Sequence, residues 1–342
     1  MGWGVMGLSD TTASLRHALR DPDDDLRAVV ERAIADDAAV RLSHPMGEGT
    51  GPGHLLGALD DLQAAFPDLE RREDIVVSGR DGHGLDWVGM AGHYEGVFRH
   101  PLHGIQPSGH AAHLRFHEFW RIENGLIVEV HAIWDLPALM MSVGQWPMAP
   151  SLGREIRVPG PQTQDGLGPH PGDGKEAIRV VTEMLAAMGR HPAEPPAAME
   201  MPRFWHPKMM WYGPGGIGTC RGWSGFRHWH QIPFLDAMPD RGSYRDHMTY
   251  HFFGEGDYVA VTGWPNMKQT LTGGGWMGLA PTGQTVTLQS LDFWRVEDGV
   301  IRENWVMLDI LGFYMQVGVD VLARLRAFGK AFPTGPDDGG VA

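Results

Sequence analysis

The chain has 342 residues, of which 42% are apolar, with 13 Trp and 13 Phe, enough to build one or two sizeable cores. The formal net charge of −14 provides no basic face, which argues against nucleic acid or an anionic membrane surface as a partner. The single cysteine, Cys220, cannot form an internal disulfide. No signal peptide or membrane-spanning apolar run is recognisable, so the sequence predicts a cytoplasmic protein.

The first predicted element is a helix that follows the acidic residues Asp23–Asp25. Its apolar positions have the spacing of one helix face: Leu26, Val29, Val30, Ala33 and Ile34. The second half also begins with a predicted helix. Its apolar face comprises Ile178, Val181, Leu185 and Met188, with Asp173 and Glu176 as a possible capping box and Gly189 as the stop.

Each half ends in a predicted β-hairpin. The turn is Glu-Asn-Gly at 123–125 and Glu-Asp-Gly at 297–299, between apolar runs. Asn-Gly or Asp-Gly between such runs is the strongest short hairpin signal. Helices followed by antiparallel strands predict an α+β fold, with helices packed on one side of a curved antiparallel sheet.

The two halves are copies of one another. Residues 104–144 align with residues 278–318 without a gap at an offset of 174, and the shared residues include Phe119/Phe293, Trp120/Trp294, Glu129/Glu303 and Asp135/Asp309. A period this long excludes a solenoid and indicates duplication of a whole domain.

The sequence predicts four segments. Residues 10–146 form the first domain and residues 173–330 the second. Residues 147–172 are dense in Pro and Gly without hydrophobic periodicity, which is typical of a linker. Residues 331–342 are expected to be a disordered tail.

The repeated elements resemble the SnoaL-like polyketide cyclases of the NTF2-like superfamily. The resemblance lies in the initial helices, "AFPD" or "AMPD", "PTG" at 281–283, "DFWRVEDGVI" and the ending "ENWVMLD". The second half fits the family better, because it has the expected Trp in the ending motif, at Trp305. The first half has His131 at that position. The resemblance implies two tandem cone-shaped α+β barrels, each with a pocket between its helices and its curved sheet.

The same resemblance implies acid–base catalysis without a cofactor. In such cyclases an aspartate on the last strand moves a proton during intramolecular aldol closure, and that residue corresponds to Asp309 and to Asp135. An apolar pocket would raise the pKa of either carboxyl towards neutrality, where a general base works best. The alternative is that each aspartate only caps the helical segment that follows it.

Strand alternation places Trp305 and Asp309 on one face, and His131 and Asp135 on the equivalent face of the first half. If this face lines the pocket, Trp305 forms an aromatic wall and His131 is an acid–base neighbour of Asp135. His117, on the strand paired with that of His131, is a further candidate to line the pocket.

The chain has 18 histidines, so a metal site is a second possibility. His113, His117 and His131 fall on paired strands, His54 and His93 could come near, and three imidazoles can bind Zn, Fe or Ni. No spaced metal motif such as H-E-x-x-H is present. Leu291 and Trp305 replace His117 and His131 in the second half, so such a site would be confined to the first.

The segment 205–231 is rich in Trp, His and Gly, which favours an aromatic-walled pocket for a planar or apolar ligand. Tyr212 is the candidate donor to an enolate oxygen, and Trp264 a candidate contact for the substrate. The same aromatic residues could instead only pack a core or the contact between the halves.

Three functions follow from the sequence. The first is a cofactor-free cyclase, isomerase or dehydratase acting beside a carbonyl of an apolar or aromatic small molecule. The second is a non-catalytic ligand-binding protein, and the third a metal-dependent enzyme using the histidines of the first half. The resemblance also implies that the halves pair through their sheets as a pseudo-dimer within one chain, with a homodimer as a further possibility.

Overall fold

The computed structural model describes residues 12–22, 25–190 and 193–329, which form two halves of the same design. Each half has a six-stranded sheet with helices packed against one face. The predicted α+β fold of two tandem domains is therefore confirmed.

The first half contains helices α1 (Ala13–Arg20), α2 (Leu26–Ala33), α3 (Pro52–Ala65) and α4 (Leu136–Ser142), and strands β1 (Ile34–Leu42), β2 (Glu48–Thr50), β3 (Glu70–Arg80), β4 (Asp86–Val97), β5 (Ala111–Glu123) and β6 (Leu126–Trp134). The strand order is β2-β1-β6-β5-β4-β3. Ile34, expected at the end of a helix, begins β1 instead.

The second half contains helices α5 (Lys175–Met188), α6 (Gly222–Phe226), α7 (Ile232–Ala237), α8 (Ile310–Gln316) and α9 (Val321–Gly329), and strands β7 (Trp205–Tyr212), β8 (Thr219–Arg221), β9 (His251–Glu255), β10 (Tyr258–Thr262), β11 (Met267–Thr270), β12 (Thr285–Leu288), β13 (Ser290–Glu297) and β14 (Val300–Leu308). Its main sheet has the order β8-β7-β14-β13-β10-β9, and β11 and β12 pair separately. A π-helical turn, Arg227–Gln231, joins α6 to α7, and 3-10 turns occupy Pro196–Met199, Met201–Arg203 and Arg241–His247.

Both main sheets are mixed, which corrects the expectation of antiparallel sheets. The first strand of each half runs parallel to the last: β1 beside β6, and β7 beside β14. The hairpin prediction is confirmed, because Asn124–Gly125 and Asp298–Gly299 join the last two strands with φ of 52° and 80°, and of 50° and 77°. Two consecutive positive φ values are the requirement of a type I′ turn.

The sheets of the two halves pack face to face. Their shared apolar cluster includes Trp87 and Phe119 from the first half and Phe293 and Trp305 from the second. The rings of Phe119 and Phe293 lie 5.0 Å apart between centroids. Each sheet is therefore covered on one face by its own helices and on the other by the opposite sheet.

The connecting segment, residues 147–172, forms no helix or strand but is tied to both halves. Arg154 exchanges two backbone hydrogen bonds with Thr219 of the second half, at 3.0 and 2.8 Å. The amide of Val76 in the first half donates to the carbonyl of Gly166 at 2.8 Å. This segment therefore has the composition of a flexible linker but makes defined contacts with both halves.

The predicted tail, residues 331–342, lies outside the described residues. Among the helices that the structure describes, none is long and apolar enough to cross a membrane.

Candidate active site in the second half

A cavity of about 140 Å³ lies between the helices and the inner face of the second sheet. A cavity of this size accommodates a single benzene ring. Most of its wall is apolar and aromatic, contributed by residues that include Trp205, Trp211, Phe226, Phe234 and Trp294. The enclosure therefore suits a planar apolar group, as the aromatic segment 205–231 suggested.

Strand alternation decides which side chains reach the cavity. On β13, Ser290, Asp292 and Trp294 point inwards, whereas Leu291 and Phe293 contact the opposite sheet. On β14 the inward residues are Asn304, Val306 and Leu308.

Asp292 is the acidic side chain in this wall, and the neighbouring groups shift the pKa of its carboxyl. Burial raises the pKa of the Asp292 carboxyl to about 7, while the hydroxyl of Ser290 and the positive charge of Arg241 partly oppose that rise. The Ser290 hydroxyl donates to Asp292 Oδ1 at 2.6 Å. The carboxyl therefore exchanges a proton near neutral pH, as a general acid or base requires.

Several neutral donors share the cavity with Asp292. His230, supplied by the π-helical turn, stacks on Trp211 at 4.1 Å, and burial lowers its pKa to about 3, so it is uncharged at neutral pH. His230 Nδ1 and Trp294 Nε1 are buried and have no partner among the described residues. Neither nitrogen is therefore used by a hydrogen bond within the described part of the protein.

In the first half, the carboxylate equivalent to Asp292 is enclosed by protein groups. Glu118, which corresponds to Asp292, accepts hydrogen bonds from Arg71 Nη1 at 2.9 Å, from the Tyr94 hydroxyl at 3.0 Å and from Trp134 Nε1 at 3.1 Å. Trp134 corresponds to the smaller Leu308 of the second half. Glu118 is therefore fully engaged with protein groups.

Asp309 and Asp135 lie at the contact between the halves. Asp309 caps α8 through the amide of Gly312 at 2.8 Å and accepts from the amide of His44, in the first half, at 3.0 Å. Asp135 caps α4 and accepts from the amide of Gly215, in the second half, at 3.0 Å. Burial raises the pKa of both carboxyls, as expected, but neither lines the cavity.

Trp305 lies on the face of β14 opposite to the one expected. It belongs to the cluster between the sheets, where its ring stacks on Tyr212 at 5.5 Å. The Tyr212 hydroxyl points to Glu303 at 3.5 Å. Neither side chain lines this cavity, because the face they share packs against the opposite sheet.

His117 and His131 also lie between the sheets and away from the cavity. His117 Nδ1 donates to the carbonyl of Leu291 at 2.6 Å, and His131 Nδ1 pairs with the Thr262 hydroxyl at 2.7 Å. The structure does not gather them with His113 as a ligand set, since the described residues contain no group of three His, Cys, Asp or Glu side chains suited to a metal ion.

The remaining predicted contacts are dispersed. His93 Nδ1 pairs with Asp74 at 3.1 Å, and His54 Nε2 pairs with the carbonyl of Gly47 at 3.0 Å. Trp264 Nε1 donates to Glu48 at 3.1 Å, across the contact between the halves. None of the three lines the cavity.

Three residues of the cavity wall, Asp292, His230 and Arg241, were not among the predicted site residues. A signal for the first was present, because "HEFW" and "LDFW" both place an acidic residue inside an apolar strand at the same repeat position. A carboxylate there must be paired or face a cavity. His230 and Arg241 carried no comparable signal, since a π-helical turn and a 3-10 turn bring them to the wall.

Comparison with known families agrees with the tandem design. Residues 20–142 and 194–317 each match the model of the SnoaL-like polyketide cyclase family, and together they cover more than half of the chain. No curated protein matches the chain significantly.

Solved structures that resemble the chain each correspond to about one half of it. IdmH from Streptomyces antibioticus is 25% identical, covers 40% of this chain with 97% of its own, and has a TM-score of 0.34. A SnoaL-like protein from Jannaschia sp. CCS1 is 18% identical, with coverages of 42% and 96% and a TM-score of 0.34. An NTF2-like protein from Burkholderia pseudomallei K96243 is 16% identical, with coverages of 39% and 94% and a TM-score of 0.31.

Proposed function

Because the chain belongs to the SnoaL-like polyketide cyclase family, we propose that its second half is a cofactor-free acid–base enzyme acting beside a carbonyl of a small apolar or aromatic molecule. Asp292 is the proposed proton-transfer group. The observation that carries this proposal is the carboxyl with a pKa of about 7 in the wall of an aromatic cavity.

The proposed step begins with ionised Asp292 removing a proton from the carbon next to the carbonyl. The electron pair of the broken C–H bond moves into the carbonyl to give an enolate. A donor such as Trp294 Nε1 or His230 bonded through Nδ1–H would stabilise the enolate oxygen, since these buried nitrogens have no partner among the described residues. The enolate carbon then attacks a second carbonyl, and the oxygen of that carbonyl takes the proton back from Asp292. Alternatively, Asp292 returns the proton to a different carbon of a conjugated enolate, which completes an isomerisation.

The first half is proposed to be a non-catalytic support. Its Glu118 is saturated by protein donors, and Trp134 occupies the space that would be needed for a ligand. Asp135 and His131 then have roles in positioning and packing, because each forms a hydrogen bond to the second half.

The test compares Asp292→Asn with Asp309→Asn on a panel of β-keto esters and polyketide mimics, with products identified by mass spectrometry. Asp292→Asn should lower turnover by a factor of about 10² to 10⁴, the usual contribution of a general base. Asp309→Asn should retain most of it, since Asn also caps helices. The opposite ranking would return the catalytic role to Asp309, as the family resemblance implied.

A second candidate is a ligand-binding protein without chemistry. It is favoured by the same unpartnered nitrogens of His230 and Trp294, which need only an acceptor. Tight binding of a panel compound that is recovered unchanged, with Asp292→Asn binding it equally well, would support this function over catalysis.

A further inference from the structure

We propose that the ligand of this cavity carries a carboxylate or an equivalent anionic group, and that Arg241 binds it. The inference rests on the proposed location of the site and adds the charge of the ligand, which the polyketide cyclase family alone does not specify. The basis is the balance of charged groups around the cavity.

Three cationic side chains line the cavity, namely Arg241, Arg245 and Lys268. Asp292 is the one acidic side chain among the described residues of the wall. The cavity therefore carries a net positive charge even when Asp292 is ionised, and the excess is larger when it is protonated.

None of the three cations has a carboxylate partner within the part of the chain that is described. Arg241 contacts Met267 Sδ at 3.7 Å and lies 5.5 Å from the centre of the Phe234 ring. These are weak contacts for a guanidinium, whose planar fork suits a carboxylate. Burial lowers the pKa of Arg241, and the nearby Tyr250 hydroxyl and Asp292 carboxyl only partly oppose that effect.

Arg245 is better satisfied than Arg241, whereas Lys268 has only a contact with an aromatic ring. Arg245 Nη1 donates to the carbonyl of Leu185 at 2.9 Å, and the Lys268 ammonium lies 4.9 Å from the centre of the Tyr244 ring. Of the two guanidinium groups, Arg241 therefore has the greater unmet capacity for an anion, and its planar fork can hold a carboxylate by two hydrogen bonds.

Arg71, which faces the interior of the first half, shows the opposite arrangement. Arg71 Nη1 lies 2.9 Å from Glu118, and its Nε lies 3.5 Å from Glu73. Where the interior is filled, the protein supplies the anions for its own buried guanidinium. Where a cavity remains, Asp292 stands in place of Glu118 but forms no ion pair with Arg241, and a ligand carboxylate would provide that contact.

The test measures binding of benzoate and of methyl benzoate, two single-ring probes that differ in charge, by calorimetry. The wild-type protein should prefer benzoate by at least about tenfold, the order expected of a charge-assisted hydrogen bond. Arg241→Gln should abolish the preference by weakening benzoate alone. Arg221→Gln is the matched control, because Arg221 also contacts a methionine sulfur, at 3.4 Å, but lies outside the cavity.

Equal affinity for the two probes in the wild-type protein would overturn the inference, as would a preference that survives Arg241→Gln. If circular dichroism shows that Arg241→Gln does not fold, Arg241→Lys is used instead. If the guanidinium holds the carboxylate by two hydrogen bonds, this variant should show a reduced preference for benzoate. An unchanged preference would contradict the role of Arg241. The Asp292→Asn variant distinguishes the proposed anion binding from the proposed catalysis. This variant should bind benzoate at least as tightly as the wild type, whatever its effect on turnover.

Discussion

Glu118 and Asp292 stand at the same position of the repeated hairpin, yet Glu118 is enclosed by Arg71, Tyr94 and Trp134 whereas Asp292 faces a cavity. The carboxylates at this position of the two halves therefore have different roles. One carboxylate holds the interior of the first half together, and the other is available to a ligand.

The titration of Asp292 should be measurable without a substrate. Its pKa rises from the usual 3.8 to about 7 on folding, so between these values the folded protein keeps a proton that the unfolded chain has released. The free energy of unfolding attributable to Asp292 therefore falls as pH rises through this window. Asp292→Asn should gain stability relative to the wild type between pH 5 and pH 8.

Urea denaturation of both proteins at the two pH values checks this expectation. The charged or titratable groups around Asp292 are Arg241, His230, Tyr250, Arg115, Arg245 and Lys268. They remain in both proteins, so their own titrations cancel to first order. A stability difference that does not change between pH 5 and pH 8 would contradict the raised pKa.

Glu118→Gln should destabilise the protein strongly. The variant leaves the buried guanidinium of Arg71 without the carboxylate 2.9 Å away, and breaking such a buried pair costs about 3–5 kcal/mol. Denaturant unfolding measures this loss. Arg27→Gln is a control, because its ion pair with Asp60 is exposed and should contribute little. Equal stabilities of the two variants would contradict the structural role of Glu118.

Asp309→Ala should lower the free energy of unfolding by about 1–3 kcal/mol, through loss of the helix cap and an unsatisfied buried amide. The amides concerned belong to Gly312 and His44. Asp309→Asn should be milder, since its side-chain oxygen can still accept. Thermal unfolding of the two variants gives the comparison, and an Asn variant as unstable as the Ala variant would show that the charge, not the cap, is required.

Leu308→Trp should close the cavity by introducing the side chain that Trp134 provides in the first half. The expected result is loss of benzoate binding with retention of the fold, measured by calorimetry and circular dichroism. Trp134→Leu is the reciprocal change and should destabilise the protein, by less than the about 3–5 kcal/mol that truncation of a buried Trp to Ala costs, because it leaves a smaller void in the first half. Benzoate binding that persists in the Leu308→Trp protein would place the ligand elsewhere.

The fold could be predicted because its signals are local. The turn dipeptides Asn124–Gly125 and Asp298–Gly299 fix the hairpins, and the helical spacing from Ile178 to Met188 marks α5. The repeat offset then transfers each assignment from one half to the other.

The site could not be predicted in the same way, because both faces of each sheet are buried. Trp305 and Met307 face the opposite sheet, and Val306 and Leu308 face the cavity, so hydrophobicity does not distinguish the faces. Which face encloses a ligand depends on long-range packing between the halves. The contacts of residues 147–172 depend on the same packing and were missed for the same reason.

The covalent link between the two sheets has a further consequence for how such a protein diverges. In a symmetric homodimer every substitution appears in both subunits, so a tryptophan that fills one interior fills the other as well. Fusion of two copies removes that constraint. One copy can then accumulate tight ion pairs that stabilise the fold, while the other keeps an interior cavity in which new chemistry can evolve.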